Sequence, residues 1–194
     1  PFPIPGWTLP GVMTAGAGQT LLKTAGLVPA DGVVLAGLGP LLWLLAQQYV
    51  RAGVAISAIL ETAPRENFLR AAPLLPAALT AGDEVRKGLG FIRAVKRAGT
   101  RIVRNVTGLR AIGGERLEAV EFARGGRVET IPTPLLLLHQ GVVPDVNLAM
   151  SIGCRHEWDE GQLCWRPALD EWGGTDLDGI AIAGDGAGIG GARA

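Results

Sequence analysis

The stretch 32–61 constrains the fold of this chain more than any other. A short apolar run, 33–36, ends at glycine, as a buried parallel strand does. A helix is predicted over 40–52, because proline suits the first helical position, where the N–H has no intrahelical partner. A second apolar strand, 54–60, follows. The pattern predicts a βαβ unit with two parallel strands.

The turn inside this unit predicts a dinucleotide site. It reads Gly37-Leu38-Gly39 and leads into Pro40 and Leu41 at the start of the helix. Glycines let a bulky ligand approach the backbone, and the N–H groups of a helix start favour a pyrophosphate. Glu61 ends the second strand, where a carboxylate accepts hydrogen bonds from a ribose diol.

Two residues leave alternatives open at this site. Leu42 replaces the third glycine of the usual fingerprint, so we expect the helix to pack outward or at an altered angle and to weaken affinity. A βαβ unit with an empty site is the alternative. Glu61 repels a 2′-phosphate and favours NAD over NADP, whereas Arg65 keeps the phosphate variant open.

Composition excludes several classes of function. The chain has 194 residues and no net charge, with 18 basic and 18 acidic residues, so nucleic acid is not expected as a partner. Its apolar runs are too short to span a bilayer, and the start lacks a signal peptide and an initiator methionine. We expect a cytoplasmic location and a piece of something larger.

The two cysteines, Cys154 and Cys164, are predicted to be reduced structural thiols. They form no C-x-x-C pair, and nearby His156 leaves a metal site open but disfavoured. Three tryptophans in the same region predict either a domain junction or a substrate-lining surface: Trp158, Trp165 and Trp172.

The rest of the chain predicts further α/β structure. A turn over 14–18 and a short helix over 19–25 precede the βαβ unit, and a loop with short helices follows over 64–79. Further helices are expected over 83–98 and 147–152. Period-two patterns predict strands over 101–106, 108–112, 117–123 and 127–131, the last three as an antiparallel meander, and 135–138 predicts another buried parallel strand.

Near its end the chain repeats the pattern of a ligand site. An apolar strand predicted over 179–183 runs into Gly184, Asp185 and Gly186. An aspartate at the end of a strand can bind a polyol, while the following N–H groups face phosphate.

Three segments together resemble one family. They are 3–12 (Pro-Ile-Pro-Gly-Trp-Thr-Leu-Pro-Gly-Val), the turn 37–41, and 183–192 (Ala-Gly-Asp-Gly-Ala-Gly-Ile-Gly-Gly-Ala). The chain resembles the FAD/NAD(P)-binding subunits of opine oxidase, hydrogen cyanide synthase, and hydroxyproline and dye-linked proline dehydrogenases. These are similar to the pyridine nucleotide–disulfide oxidoreductases, in which an NAD domain interrupts an FAD domain.

The resemblance implies a Rossmann-like α/β fold with a parallel sheet and a β-meander crossover. Residues 30–141 would form the NAD(P)-binding insert, and 1–29 and 142–194 would be pieces of the FAD-binding domain. Asp185 would bind the FAD ribityl chain near Gly184 and Gly186, and Gly141 would join the residues that hold NAD. A partner subunit of a heteromeric dehydrogenase is also implied.

Departures from the family limit these expectations. The first FAD-binding βαβ unit would lie upstream of Pro1, so this chain should bind FAD poorly alone. No redox cysteine pair is present, which disfavours a thioredoxin-reductase-like enzyme. No catalytic residue is assigned, and His139, which closes an apolar strand, is expected to be structural. Electron transfer between flavin and nicotinamide is the leading hypothesis, and a nucleotide-binding scaffold without hydride transfer is the alternative.

Overall fold

The computed structural model describes residues 3–30, 32–71, 73 and 82–189. The chain divides into two compact units, Pro1–Gly141 and Val142–Ala194. The prediction of 30–141 as an NAD(P)-binding insert stays a prediction. The assignment of 1–29 and 142–194 to an FAD-binding domain stays a prediction.

The first unit is built on a five-stranded parallel sheet with the strand order β1-β8-β2-β3-β4. Its strands are β1 (Val12–Thr14), β2 (Val33–Gly37), β3 (Ile56–Glu61), β4 (Arg101–Arg104) and β8 (Leu135–His139). Among its described residues this unit has four helices: α1 (Ala15–Ala25), α2 (Pro40–Arg51), α3 (Arg65–Ala71) and α4 (Gly82–Arg97). The predicted βαβ unit is confirmed as β2-α2-β3.

An antiparallel ribbon of three strands completes this unit: β5 (Thr107–Ile112), β6 (Ala119–Arg124) and β7 (Arg127–Pro132). Gly125 and Gly126, with φ of 55° and 79°, form the two-residue turn between β6 and β7. Only a residue that tolerates positive φ suits both positions of such a turn. The predicted meander is confirmed.

The sheet is covered on both faces by apolar side chains. One face packs against the ribbon through Leu109, Val120 and Phe122. The other packs against the helices, including Leu45 of α2 and Val95 of α4. Alternate residues of each central strand therefore enter two separate cores, which explains why β2 is apolar at every position.

Helix α1 begins earlier than predicted. Thr14 caps it by accepting a hydrogen bond from the Ala17 amide at 3.0 Å, and the small residues predicted as a turn lie within the helix. A Cβ at Gly18 would stand 2.7 Å from the Tyr49 hydroxyl oxygen. Packing of α1 against α2 thus requires a small residue there, and this tertiary contact outweighs the low helical propensity of glycine.

The second unit contains α5 (Asn147–Ser151) and a hairpin of β9 (His156–Asp159) and β10 (Cys164–Pro167). The strand predicted over 179–183 is wrong: Ala181 makes only an isolated bridge to Gly174, and a 3₁₀ turn follows at Gly184–Gly186. A strand needs a neighbour along its length, and this short antiparallel contact is the one that the described part of the chain gives these residues. Part of the predicted loop at 64–79 lies outside the described residues.

Candidate dinucleotide site

The carboxyl ends of three parallel strands bring the predicted site together. Gly37 of β2 is in register with Glu61 of β3 on one side and with His139 of β8 on the other. From β2 the chain continues through α2 to β3, whereas β8 and β1 lie on the opposite side. The crevice between β2 and β8 is therefore the point where a parallel sheet binds its ligand.

The two glycines of the turn serve different purposes. A Cβ at Gly37, which has φ of 141°, would stand 1.7 Å from the His139 carbonyl oxygen, so this glycine allows β2 and β8 to meet. At Gly39, with φ of 89°, the nearest atom would be His139 Nε2 at 4.0 Å. Gly39 thus needs glycine for its backbone conformation, and the space beside it is open to a ligand.

The N–H groups of the turn are not equally available. The Leu38 amide donates to the His139 carbonyl at 2.8 Å and is therefore not available to a ligand. Pro40, at the first helical position of α2, has no amide hydrogen. The Gly39 amide has no partner among the described residues, and the Leu41 amide belongs to the open first turn of α2. These two groups are among the backbone donors left available at the turn.

Leu42, the departure from the fingerprint, is completely buried in the core between α2 and the sheet. Neighbouring Leu41 is 42% exposed and lies at the crevice instead. The third glycine position is therefore occupied by a core side chain.

Glu61 lies beside the turn, as predicted. The Thr62 amide donates to the Gly37 carbonyl at 2.9 Å, and this bond ties the end of β3 to the end of β2. The Glu61 side chain is only 10% exposed, and its Oε2 lies 3.1 Å from Nε of Arg104. Sequence analysis did not identify Arg104. Arg104 lies at the end of β4, in register with Glu61. A prediction of the strand order would have placed these two residues side by side.

His139 borders a cavity of about 40 Å³ between α1 and α2. Burial lowers the pKa of the His139 imidazole and favours its neutral form. The cavity is lined by Ala15, Gly16, Gln19, Leu41, Leu45 and His139. Residues at the start of α1 were missed by sequence analysis because they were assigned to a turn.

The residues predicted to hold FAD lie in the second unit. Asp185 is exposed in the 3₁₀ turn, and Gly184 has φ of 67°. Gly186 is half-buried against Ile182. Gly141, with φ of 114°, ends the first unit with open space around its Cα. The roles of these four residues in cofactor binding stay predictions.

The remaining candidates in the second unit are the tryptophans and cysteines. Trp158 and Trp165 form an edge-to-face pair across the hairpin with ring centroids 5.6 Å apart, and Trp172 is 85% exposed. Cys154 and Cys164 are free and buried. Within the described ranges, no group of His, Cys, Asp or Glu side chains could hold a metal ion.

Together, the parallel sheet and the glycine turn at its carboxyl edge define an α/β fold of the kind found in FAD/NAD-binding oxidoreductases. Solved structures support this fold class. Over 97% of this chain and 50% of the other, the structure is similar to bacillithiol disulfide reductase from Staphylococcus aureus, with a TM-score of 0.62 and 16% identity. L-proline dehydrogenase from P. horikoshii gives 0.51 and 20% identity over 95% of this chain and 27% of that one.

Curated relatives are more similar in sequence. The chain is homologous to the A subunit of opine oxidase from Agrobacterium tumefaciens, with 46% identity over all of this chain and 38% of that protein. The HcnB subunit of hydrogen cyanide synthase from Pseudomonas aeruginosa is 30% identical over 99% of this chain and 42% of that protein. The chain thus spans about two fifths of the curated relatives it matches. No protein-family model matches it.

These comparisons confirm the predicted resemblance and fold class. Both relatives are named as subunits of an oxidase or a synthase. In the part of the chain that the structure describes, no helix is both long and apolar enough to cross a membrane. The cytoplasmic location stays a prediction.

Proposed function

We propose that this chain supplies the nucleotide-binding part of a flavin-dependent oxidoreductase that acts on an amino-acid or opine-type substrate. The crevice at Gly39 and Glu61 binds NAD, and the segment Gly184–Gly186 contacts FAD. The observation that carries the proposal is the turn at Gly39, where an amide without a partner among the described residues lies at a helix start, with open space where a Cβ would stand. Homology to the opine oxidase of Agrobacterium tumefaciens supports the substrate class and a partner chain.

The side chains and amides around the crevice have distinct roles in this proposal. Gly39 and Leu41 N–H groups bind the pyrophosphate, and the partial positive charge at the start of α2 strengthens that contact. Glu61 accepts a hydrogen bond from the adenosine ribose through Oε1, since Oε2 faces Arg104. Flavin and nicotinamide supply the hydride chemistry when bound, and the protein supplies position and charge.

One observation favours a second candidate function, an ADP- or ATP-binding scaffold without hydride transfer. The pocket that His139 and Leu41 border is small, about 40 Å³, and supplies little enclosed space for a nicotinamide ring. A shorter adenine nucleotide would need no space there.

A titration separates these functions. Tryptophan fluorescence of the purified protein would be followed while NADH, NADPH or ATP is added. We expect NADH to bind and Gly39→Ala to weaken it about tenfold, because a Cβ would enter the space that the pyrophosphate needs. Gly53→Ala is the matched control: Gly53 also has positive φ, at 79°, and lies in open space at the far end of α2.

Flavin reduction gives the second readout. In protein that retains FAD, bleaching of the flavin absorbance by NADH supports electron transfer. Binding of ATP without any reduction by NADH supports the scaffold. Equal weakening by Gly39→Ala and Gly53→Ala would show that the turn is not the binding site.

A further inference from the structure

Glu61 and Arg104 form an asymmetric ion pair at the edge of the crevice. The carboxylate is almost enclosed, with a side chain 10% exposed, whereas the Arg104 side chain is 53% exposed. Nε of Arg104 lies 3.1 Å from Oε2, yet this buried oxygen accepts no well-oriented hydrogen bond. The attraction is therefore mainly Coulombic, which needs proximity and not alignment. The outward-facing charge of the pair is the positive one.

This arrangement reverses the usual effect of an acidic residue at this position. A carboxylate alone repels a 2′-phosphate on the adenosine ribose. Here a guanidinium beside it cancels that charge, and its terminal N–H groups have no partner among the described residues. A guanidinium offers parallel N–H donors that match phosphate geometry.

The position of Arg104 places it beside the ribose end of the crevice. Strand β4 lies next to β3, and Glu61 and Arg104 are in register at the carboxyl ends of these strands. The order of positions along this edge is Gly37, Glu61, Arg104, which runs outward from the pyrophosphate turn. A ribose bound at Glu61 has Arg104 on its outer side.

We propose that Arg104 is a specificity-determining residue that makes the site accept a nucleotide phosphorylated on the adenosine ribose. NADPH then binds as well as NADH, contrary to the expectation from Glu61 alone. This inference depends on the proposed dinucleotide site and adds the class of nucleotide that the site takes.

The experiment compares dissociation constants of NADH and NADPH for the wild type, Arg104→Gln and Arg101→Gln. Arg101 is the matched control because it lies at the other end of β4, is 51% exposed and also pairs with a glutamate, Glu129, at 2.6 Å. For the wild type we expect the two constants to agree within about threefold. Arg104→Gln should weaken NADPH at least about tenfold and NADH less than about threefold, since one charged contact is lost. Arg101→Gln should change neither.

Two further measurements test whether the effect of Arg104 is on the adenosine ribose and arises from its charge. Adenosine 2′,5′-bisphosphate and 5′-ADP test the adenosine end alone and should give the same ratio as NADPH and NADH. Arg104→Gln leaves the buried Glu61 carboxylate unpaired, so its loss of affinity has to be separated from an effect on folding. Arg104→Lys keeps the positive charge beside Glu61 and should retain part of the NADPH affinity.

The possible failures are distinguishable. A wild type that binds NADH but discriminates more than about tenfold against NADPH overturns the role of Arg104 and leaves the dinucleotide site intact. Equal weakening of both nucleotides by Arg104→Gln also overturns it. A wild type that binds neither nucleotide overturns the proposed function and this inference together.

Discussion

Gly37 and His139 lie opposite each other on adjacent strands, and a Cβ on Gly37 would stand 1.7 Å from the His139 carbonyl oxygen. The same carbonyl accepts the Leu38 amide at 2.8 Å. The first glycine of the fingerprint therefore lets β2 lie against β8, and the open space belongs to Gly39. This separation of roles leads to predictions that stability and binding respond to different glycines.

Gly37→Ala should destabilise the protein by about 2–4 kcal/mol, because β2 and β8 would have to move apart and the φ of 141° is unfavourable for alanine. The free energy of unfolding in urea measures this change. Gly53→Ala, at φ of 79° with open space around it, should cost only about 1 kcal/mol. Equal losses in the two variants would contradict the close approach of the strands.

Leu42→Ala should lower the free energy of unfolding by about 2–5 kcal/mol, since it removes a fully buried side chain and leaves a cavity between α2 and the sheet. Leu41→Ala, one residue earlier and 42% exposed, should cost less than about 1 kcal/mol. Denaturant titrations of both variants check the difference. Similar values would show that the third fingerprint position is not part of the core.

His139 should make stability depend on pH. Its pKa is lowered by burial in the folded state, so between that value and the ordinary value of about 6.5 the unfolded chain binds more protons. The neutral imidazole therefore makes its full contribution to the free energy of unfolding above about pH 6.5. This contribution is lost as the pH falls through the lowered pKa. Urea unfolding of the wild type and His139→Asn over this range measures the effect. A variant with an unchanged pH dependence would exclude His139 as its source.

Asp185→Asn should leave the free energy of unfolding within about 0.5 kcal/mol, because the side chain is exposed and has no partner among the described residues. Loss of bound flavin, measured from the absorbance of purified protein that retains FAD, is the expected functional effect. The Asp178→Asn variant is the control, since Asp178 is also exposed in the same unit. Flavin loss in both variants would argue against a specific role for Asp185.

Local patterns predicted the βαβ unit and the ribbon because each is specified by neighbouring residues. Glycines at 125 and 126 define a hairpin turn, and a proline-started helix between apolar runs defines β2-α2-β3. The start of α1 was not predictable in this way. Its glycine at position 18 is explained by Tyr49 of α2 and Leu137 of β8, which approach it from distant parts of the sequence.

Pairing across the sheet explains why part of the site was missed. Glu61 was identified because it follows an apolar strand, but Arg104 becomes visible only once β4 is known to lie beside β3. The segment 179–183 shows the opposite error. An apolar run was predicted to be a strand, but the described residues supply no adjacent strand along its length.

Strands β1 and β8, although hydrogen-bonded neighbours, come from opposite ends of the first unit's sequence. The central strand β2 also depends on β8 for half of its backbone partners. Such long-range pairing slows folding, because a large loop must close before the contact forms. A ribosome-bound chain therefore cannot complete the crevice between β2 and β8 until β8 has emerged.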